Sequence, residues 1–182
     1  QFLINDYGTI NKNAVVIDIG ANIGVFSIYA AKVSGASKVY AFEPNKKSYN
    51  VLLKNILMNN LENKVIPFNV AVSEKKQTVF IPKISSPLNQ ILKNKKLNTD
   101  TENYDCVKSY SLNDIIKDNR LSYIDFIKLD CEGSEYDILP ALDSKYYAII
   151  KEIRMEYHAV PGGDPSIIES LLISKGYRVI YK

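Results

Sequence analysis

The chain has 182 residues, of which 46% are hydrophobic and 24% are charged. This length and composition predict one globular domain and exclude a disordered chain. The net charge of +3 is too small to indicate a nucleic-acid partner. Cys106 and Cys131 offer neither a disulfide framework nor a metal-ligand spacing, and no apolar run approaches membrane-spanning length. We therefore expect a single cytoplasmic domain over residues 1–182.

Strand and helix signals alternate along the chain, which predicts an α/β fold with a mostly parallel sheet and helices on both faces. The expected strands are Val15–Ile19 and residues 39–42, 65–72, 124–129, 149–157 and 177–181, with a hairpin between 78–81 and 106–110. The expected helices cover the residues after Ile23 and residues 45–60, 112 onward, 134–142 and 166–175. Ser111 and Asp114 are placed to form a capping box at the third helix.

A glycine turn follows the first strand. In the segment Asp18-Ile19-Gly20-Ala21-Asn22-Ile23-Gly24, two glycines allow the backbone to approach a ligand closely. A dinucleotide-binding turn has the spacing G-x-G-x-x-G, and Asn22 stands where its second glycine would be. The spacing therefore argues against a pyrophosphate on this turn and disfavours a dehydrogenase.

An acid closes the second strand. Glu43 lies within Phe42-Glu43-Pro44, and an acid at this point of an α/β fold accepts hydrogen bonds from ribose hydroxyls. The turn and the acid together predict a nucleotide pocket. An ordinary βαβ turn with a capping acid is the alternative.

A second constellation follows the strand at residues 124–129. The strand delivers Asp130 and Glu132 to the carboxyl edge of the sheet, beside Gly133, where open α/β proteins bind ligands. Packing does not explain two acids at this spacing. The alternative is a helix N-terminus that favours acids through its dipole.

These segments, with Asn69-Val70-Ala71-Val72-Ser73 and residues 107–115, resemble the FkbM-type family of class I S-adenosyl-methionine-dependent methyltransferases. The most specific element is Lys128-Leu129-Asp130-Cys131-Glu132-Gly133-Ser134-Glu135, and the resemblance runs from about residue 13 to 178. It implies a Rossmann-like class I methyltransferase sandwich with a sheet of six to seven strands. A seventh strand has no room after residue 181, so we expect either six strands or a chain truncated at one or both ends.

The resemblance also implies roles for individual residues. The glycine turn passes under the amino-acid half of S-adenosyl-methionine, Asp18 lies near its methionine end, and Glu43 holds both ribose hydroxyls. Asp130 lies nearest the transferring methyl group, and we expect adenine to lie against residues 69–71. The predicted cofactor-binding residues are Asp18, Gly20, Ala21, Asn22, Gly24, Glu43, Pro44, Asn69, Val70, Ala71 and Asp130.

Members of this family methylate oxygen, so the implied partner is a hydroxyl of a sugar, a polysaccharide or another small molecule. An alcohol must lose its proton during transfer, which calls for a positioned base. The predicted catalytic residues are Asp130, Glu132, Glu156 and His158, and strand alternation places Glu156 and His158 on the same side. His158 is the only histidine, and a structural role is its alternative.

The same acids raise the question of a metal. Asp130, Glu132 and Glu156 offer the oxygen ligands that Mg²⁺ prefers, and a bound metal would lower the pKa of a substrate hydroxyl. A magnesium-dependent reaction therefore stays open beside a metal-free one.

Two rival functions use the same fold. An RNA-modifying methyltransferase is disfavoured because the Asn/Asp-Pro-Pro-aromatic element of amino-methylating enzymes is absent after residue 129, and because acids repel a phosphate backbone. A non-catalytic nucleotide-binding subunit would need Gly20, Gly24 and Glu43 but not the acids near Asp130. The sequence defines neither the acceptor nor the oligomeric state.

Residues 85–103 are polar and aperiodic. Loops of this length inside a compact domain are often lids or binding segments. We expect this one to close over the acceptor and exclude water from the methyl group, with a plain surface insertion as the alternative.

Overall fold

The computed structural model describes residues 9–83, 103–158 and 160–181. The strands are β1 (Val15–Ile19), β2 (Lys38–Phe42), β3 (Val65–Phe68), β4 (Ala71–Ser73), β5 (Gln77–Pro82), β6 (Tyr104–Ser111), β7 (Phe126–Leu129) and β8 (Ile153–Met155). The helices are α1 (Val25–Ile28), which continues as a π-helix over Tyr29–Val33, α2 (Lys46–Met58), α3 (Leu112–Asp118), α4 (Glu135–Ile138), α5 (Ser144–Tyr147) and α6 (Pro165–Ser174).

Five parallel strands form the central sheet in the order β3-β2-β1-β7-β8. β1 lies in the middle, where Ile17 pairs with Tyr40 on one side and with Ile127 on the other. Because the strands run in one direction, their carboxyl ends meet at one edge of the sheet. The residues that follow β1, β2 and β7 are therefore neighbours.

Helices cover both faces of this sheet. Val16 packs in a cluster with Phe26 of α1 and Leu52 of α2, whereas Ile17 packs in a second cluster with residues of α3 and α6. Val16 and Ile17 are both 0% exposed, as expected for a strand whose successive side chains enter opposite cores. The predicted α/β sandwich with a mostly parallel sheet is confirmed.

The predicted number of strands is wrong, since the described residues form five strands in this sheet rather than six or seven. Residues 177–181 do not form a strand. The Tyr177 hydroxyl donates hydrogen bonds to the carbonyl oxygens of Tyr147 and Ile150 at 3.0 and 2.7 Å. Tyr177 and Val179 both pack on the core, so their alternation reflects one-sided packing without strand pairing.

The predicted strand over residues 65–72 is divided between two sheets. β3 ends at Phe68, and the Asn69 side-chain amide then donates to the carbonyl oxygens of Glu43 and Pro44 at 2.9 and 3.0 Å. β4 instead joins a three-stranded sheet in the order β4-β6-β5. The predicted hairpin is confirmed there, because β5 pairs antiparallel with β6.

One further local prediction is confirmed, whereas two elements are shorter than predicted. The capping box at α3 is confirmed, with the Asp114 N–H donating to Ser111 Oγ at 3.1 Å. α4 and β8 are shorter than the predicted spans of 134–142 and 149–157. The predicted lid lies outside the described residues except for Asn103. Within the described ranges, none of the helices is both long and apolar enough to cross a bilayer.

Candidate active site

The glycine turn connects β1 to α1 and lies against the end of β7. Gly20 and Gly24 have φ angles of 79° and 89°, and Asn22 has a φ of 50°. Glycine adopts such angles freely and Asn tolerates them better than most residues. A Cβ at Gly20 would lie 1.8 Å from the carbonyl oxygen of Asp130. Glycine is therefore required for the turn to approach β7 this closely.

Glu43 lies on the other side of the turn, directly after β2. Its Oε2 accepts a hydrogen bond from the Asn22 N–H at 2.8 Å, and its Oε1 accepts one from the Asn45 N–H at 2.7 Å. The side chain is buried, and burial raises the pKa of Glu43 although both backbone hydrogen bonds oppose the rise. Asn45 in turn caps α2 through its side-chain oxygen. Glu43 thus ties the turn to the start of α2.

Asp18 lies behind the turn and is 0% exposed. Its Oδ2 accepts a hydrogen bond from Ser27 Oγ at 2.6 Å, and its Oδ1 lies 3.4 Å from Lys128 Nζ. The same ammonium group lies 3.3 Å from Asp130 Oδ2 and donates to the Gly20 carbonyl at 3.2 Å. Lys128 therefore joins two predicted acids to the turn. Sequence reasoning gave it no role, although its position two residues before Asp130 places both side chains on one side of the strand.

The predicted catalytic residues meet at the ends of β7 and β8. His158 Nε2 lies 3.8 Å from Asp130 Oδ1 and 3.6 Å from Glu132 Oε2. A carboxylate oxygen of Glu156 lies within 4.8 Å of ligand atoms of Asp130 and His158. Burial raises the pKa of Glu132, and His158 acts against this rise. We refer to Asp130, Glu132, Glu156 and His158 as the acid cluster.

The ligand set differs from the predicted magnesium site of Asp130, Glu132 and Glu156. The described residues whose ligand atoms group together are Asp130, Glu156 and His158. Mg²⁺ takes oxygen ligands in near-octahedral geometry, and imidazole is not among those it prefers. The group therefore shares Asp130 and Glu156 with the predicted set and has His158 in place of Glu132.

Glu135 is a further residue to which sequence reasoning gave no role. The side chain is 0% exposed, and its Oε1 accepts a hydrogen bond from the Cys131 N–H at 3.0 Å. The same oxygen lies 3.0 Å from His158 Nδ1. The sequence marks Glu135 only as the third acid of the segment 128–135, and its burial and contacts appear only in the structure.

The turn joins the two groups of predicted residues. Gly20, Ala21, Asn22, Asp130 and Glu156 line one groove, which continues along β8. Glu43, Pro44 and Asn69 lie together on the other side, connected to the turn through the Asn22 N–H. The site is thus a continuous edge, with the buried carboxylate of Glu43 at one end and the acid cluster at the other.

Known methyltransferases resemble this chain over most of its length. The family model of the methyltransferase FkbM domain matches residues 18–179. Methyltransferase sdnD of Sordaria araneosa is 26% identical over 201 residues, which cover 96% of this chain and 77% of that protein. The 31-O-demethyl-FK506 methyltransferase FkbM of Streptomyces tacrolimicus is 24% identical, covering 91% of this chain and 73% of that protein.

A solved structure shares the fold. The crystal structure of methyltransferase FkbM from Methylobacillus flagellatus KT matches with a TM-score of 0.51 and 16% identity, over 77% of this chain. The match covers 32% of that structure's chain, so the likeness concerns the fold of one part of it. With the family model matching most of the sequence, the chain belongs to the FkbM family of methyltransferases.

Proposed function

We propose that the chain transfers the methyl group of S-adenosyl-methionine to a hydroxyl of a sugar, a polysaccharide or another small molecule. The observation that carries the proposal is the contact of one turn with both ends of the site. The Asn22 N–H donates to Glu43, and Gly20 packs against the Asp130 backbone. A ligand that lies along this turn reaches Glu43 at one end and the acid cluster at the other. The ribose of S-adenosyl-methionine fits the first end, and its sulfonium group fits the second.

The Glu43 carboxylate has capacity for the ribose. Each of its oxygens accepts one backbone hydrogen bond, and a carboxylate offers about four acceptor sites in total. The Asn69 side-chain amide already donates its hydrogen bonds to the carbonyl oxygens of Glu43 and Pro44 and is not free to bind adenine. The adenine edge is therefore left to the backbone groups of Asn69, Val70 and Ala71.

The charge of the site favours a cationic donor. Asp130, Glu132 and Glu156 lie together, while Lys128 lies between Asp130 and the buried Asp18. A sulfonium group next to these carboxylates is attracted, whereas a phosphate backbone is repelled. The cluster thus supports S-adenosyl-methionine as the donor and a small acceptor over a nucleic acid.

The acceptor lies at the acid cluster in this proposal. Methyl transfer is an in-line displacement, so holding the hydroxyl in line with the methyl–sulfur bond supplies much of the rate. The name of the Streptomyces tacrolimicus relative refers to a compound that lacks a methyl group on an oxygen. This supports an oxygen acceptor for the present chain.

Isothermal titration calorimetry tests the donor directly. We expect S-adenosyl-methionine and its demethylated product to bind with one site per chain, and NAD to show no heat of binding. Binding of NAD in preference to S-adenosyl-methionine would contradict the proposal. Transfer of a labelled methyl group from the donor to a panel of monosaccharides and polysaccharides then tests the acceptor class.

A further inference from the structure

We propose that Glu135 is a positioning residue that holds the His158 ring with its proton on Nδ1, so that Nε2 accepts the proton of the acceptor hydroxyl. The inference rests on the proposed function in one respect, because it takes the acceptor to be an alcohol. It selects one base from the four groups of the acid cluster.

The Glu135 carboxylate is fixed inside the protein. It is fully buried, and its Oε1 accepts a hydrogen bond from the Cys131 backbone N–H at 3.0 Å. The same oxygen lies 3.0 Å from His158 Nδ1, a normal N–H to oxygen distance. Because Oε1 already acts as the acceptor of the Cys131 N–H, the ring nitrogen that faces the same oxygen carries the proton of the hydrogen bond between them.

The chain around His158 is also held against this carboxylate. Gly133 has a φ of 99°, and a Cβ at this glycine would lie 2.4 Å from Cγ1 of Val160. Val160 follows His158 by two residues, and Gly133 precedes Glu135 by two. The Val160 side chain therefore packs on the backbone of Gly133, so the turn before α4 lies against the segment after β8 close to both Glu135 and His158.

The second ring nitrogen faces the carboxylates of Asp130 and Glu132. Nε2 lies 3.8 and 3.6 Å from oxygens of Asp130 and Glu132, which exceeds hydrogen-bond distance. Glu135 and Glu156 are further acids close to the ring. When the ring is neutral and Nδ1 carries its proton, an acceptor hydroxyl that enters the cluster meets the unprotonated Nε2.

An imidazole is ordinarily a stronger base than the carboxylates that surround it here. An ordinary imidazole has a pKa about two units above that of an ordinary carboxylic acid. Asp130 is engaged by the Lys128 ammonium at 3.3 Å, and Glu156 is exposed. A neutral His158 with Nε2 unprotonated therefore suits removal of an alcohol proton better than either acid does.

The transfer step balances with these groups. The hydroxyl oxygen forms a bond to the methyl carbon while the carbon–sulfur bond breaks and its electron pair stays on sulfur, which becomes a neutral thioether. The hydroxyl proton passes to His158 Nε2, and the Glu135 carboxylate stabilises the resulting imidazolium through Nδ1–H. The proton then leaves to water, which restores the neutral ring.

Nitrogen-15 NMR of the ring tests the inference without a known acceptor. Because His158 is the only histidine, a sample without a histidine tag gives one set of ring signals. At a pH where this ring is neutral, we expect protonated Nδ1 and unprotonated Nε2. The opposite tautomer in the wild-type protein would overturn the inference.

Variants separate this role from a general structural one. Glu135→Leu keeps much of the side-chain volume without an acceptor, and Glu135→Ala serves if the leucine does not fold; we expect the ring to shift to the Nε2–H tautomer. Glu132→Gln is the matched control, because Glu132 contacts only Nε2, and the wild-type tautomer should persist. An unchanged tautomer in both Glu135 variants would contradict the positioning role.

A kinetic arm uses any hydroxylated acceptor that the wild-type enzyme turns over. We expect Glu135→Leu to lower kcat about 100-fold and to leave KM for S-adenosyl-methionine unchanged. Equal losses in kcat and donor affinity would indicate a structural role instead. Failure of the donor to bind in calorimetry would overturn the proposed function and leave the NMR result standing, so the two failures are distinguishable.

Discussion

The two sides of the glycine turn are held in place by different kinds of contact. On the β2 side, Glu43 is buried and accepts backbone hydrogen bonds of 2.8 and 2.7 Å. On the β7 side, the side chains of Asp130 and Glu132 are 28% and 33% exposed and lie 3.8 and 3.6 Å from His158. Backbone hydrogen bonds fix a group before ligand arrives, whereas side chains at ion-pair distances leave space between them. If the chain acts as proposed, the donor side is preformed and the acceptor side is completed by a bound ligand.

The largest effect is expected where the two sides touch. Gly20→Ala places a Cβ 1.8 Å from the Asp130 carbonyl oxygen and strains a φ of 79°. We expect a loss of about 3 kcal/mol or more in the free energy of unfolding, together with loss of donor binding. Thermal denaturation and calorimetry measure both.

Gly162→Ala is the matched control for this change. Gly162 has a φ of 80°, but a Cβ there would meet no atom within 4 Å. Gly162→Ala therefore introduces a similar backbone strain but no steric contact with another segment. Equal destabilisation by the two substitutions would show that the contact with β7 is not what requires glycine.

The acceptor side is tested by changes that remove charge and keep shape. We expect Asp130→Asn, Glu132→Gln and Glu156→Gln each to lower turnover by a larger factor than donor affinity, because these acids position the acceptor and each supplies only part of the attraction for the sulfonium. Steady-state kinetics and calorimetry separate the two quantities. Glu62→Gln, at an exposed acid in the connection between α2 and β3, is the control. Parallel losses of affinity and turnover would mean that these acids only build the donor pocket.

A chelator sharpens the same test. The described group includes an imidazole, which Mg²⁺ does not prefer as a ligand, so we expect turnover to be unaffected by EDTA or by added Mg²⁺. Loss of activity with EDTA and its return with Mg²⁺ would contradict this and would make a metal the group that activates the hydroxyl.

The donor side is tested by Glu43→Ala. The ribose hydroxyls lose a charged acceptor, and we expect donor binding to weaken by about 1.5–3 kcal/mol, or roughly 10- to 100-fold. Calorimetry with S-adenosyl-methionine measures the change. Because the Asn22 N–H also loses its partner, a structure of the variant should show whether the turn has moved. Unchanged affinity would remove Glu43 from the site.

Much of the central architecture was predictable from local patterns. The β-branched run at β1, the capping box of Ser111 and Asp114, and the acid after β2 each depend on residues close in sequence. The parallel direction of the strands then follows from the alternation of strands and helices. These signals sufficed to place Glu43 and Asp130 at the same edge.

The failures have a common physical cause, which is contact between residues distant in sequence. The alternation of Tyr177 and Val179 has the period of a strand, but a tyrosine hydroxyl bound to carbonyl oxygens replaces the expected ladder. The predicted third strand is divided after Phe68, where the Asn69 amide binds the carbonyl oxygens of Glu43 and Pro44. Lys128 contacts Asp18 and Glu135 contacts His158. Both partners are distant in sequence, so no local pattern predicts these contacts.

The smallest expected effect concerns pH and compares Glu43 with an acid far from the site. The pKa of Glu43 is raised by burial, so the folded state keeps this proton at a pH where the unfolded chain has lost it. The contribution to stability is therefore fully present below the ordinary carboxylate pKa and is lost as pH rises through the raised value. Asp114 is the opposite case, because the Ser111 hydroxyl holds its pKa below the usual range, and its contribution is lost as pH falls.

Denaturant unfolding between pH 3 and 8 should thus show that the stability difference between wild type and Glu43→Gln shrinks with rising pH, while that for Asp114→Asn grows. A difference for Glu43→Gln that grows with pH would mean that the two backbone hydrogen bonds outweigh burial, and that the donor side is built around a carboxylate that prefers its charge.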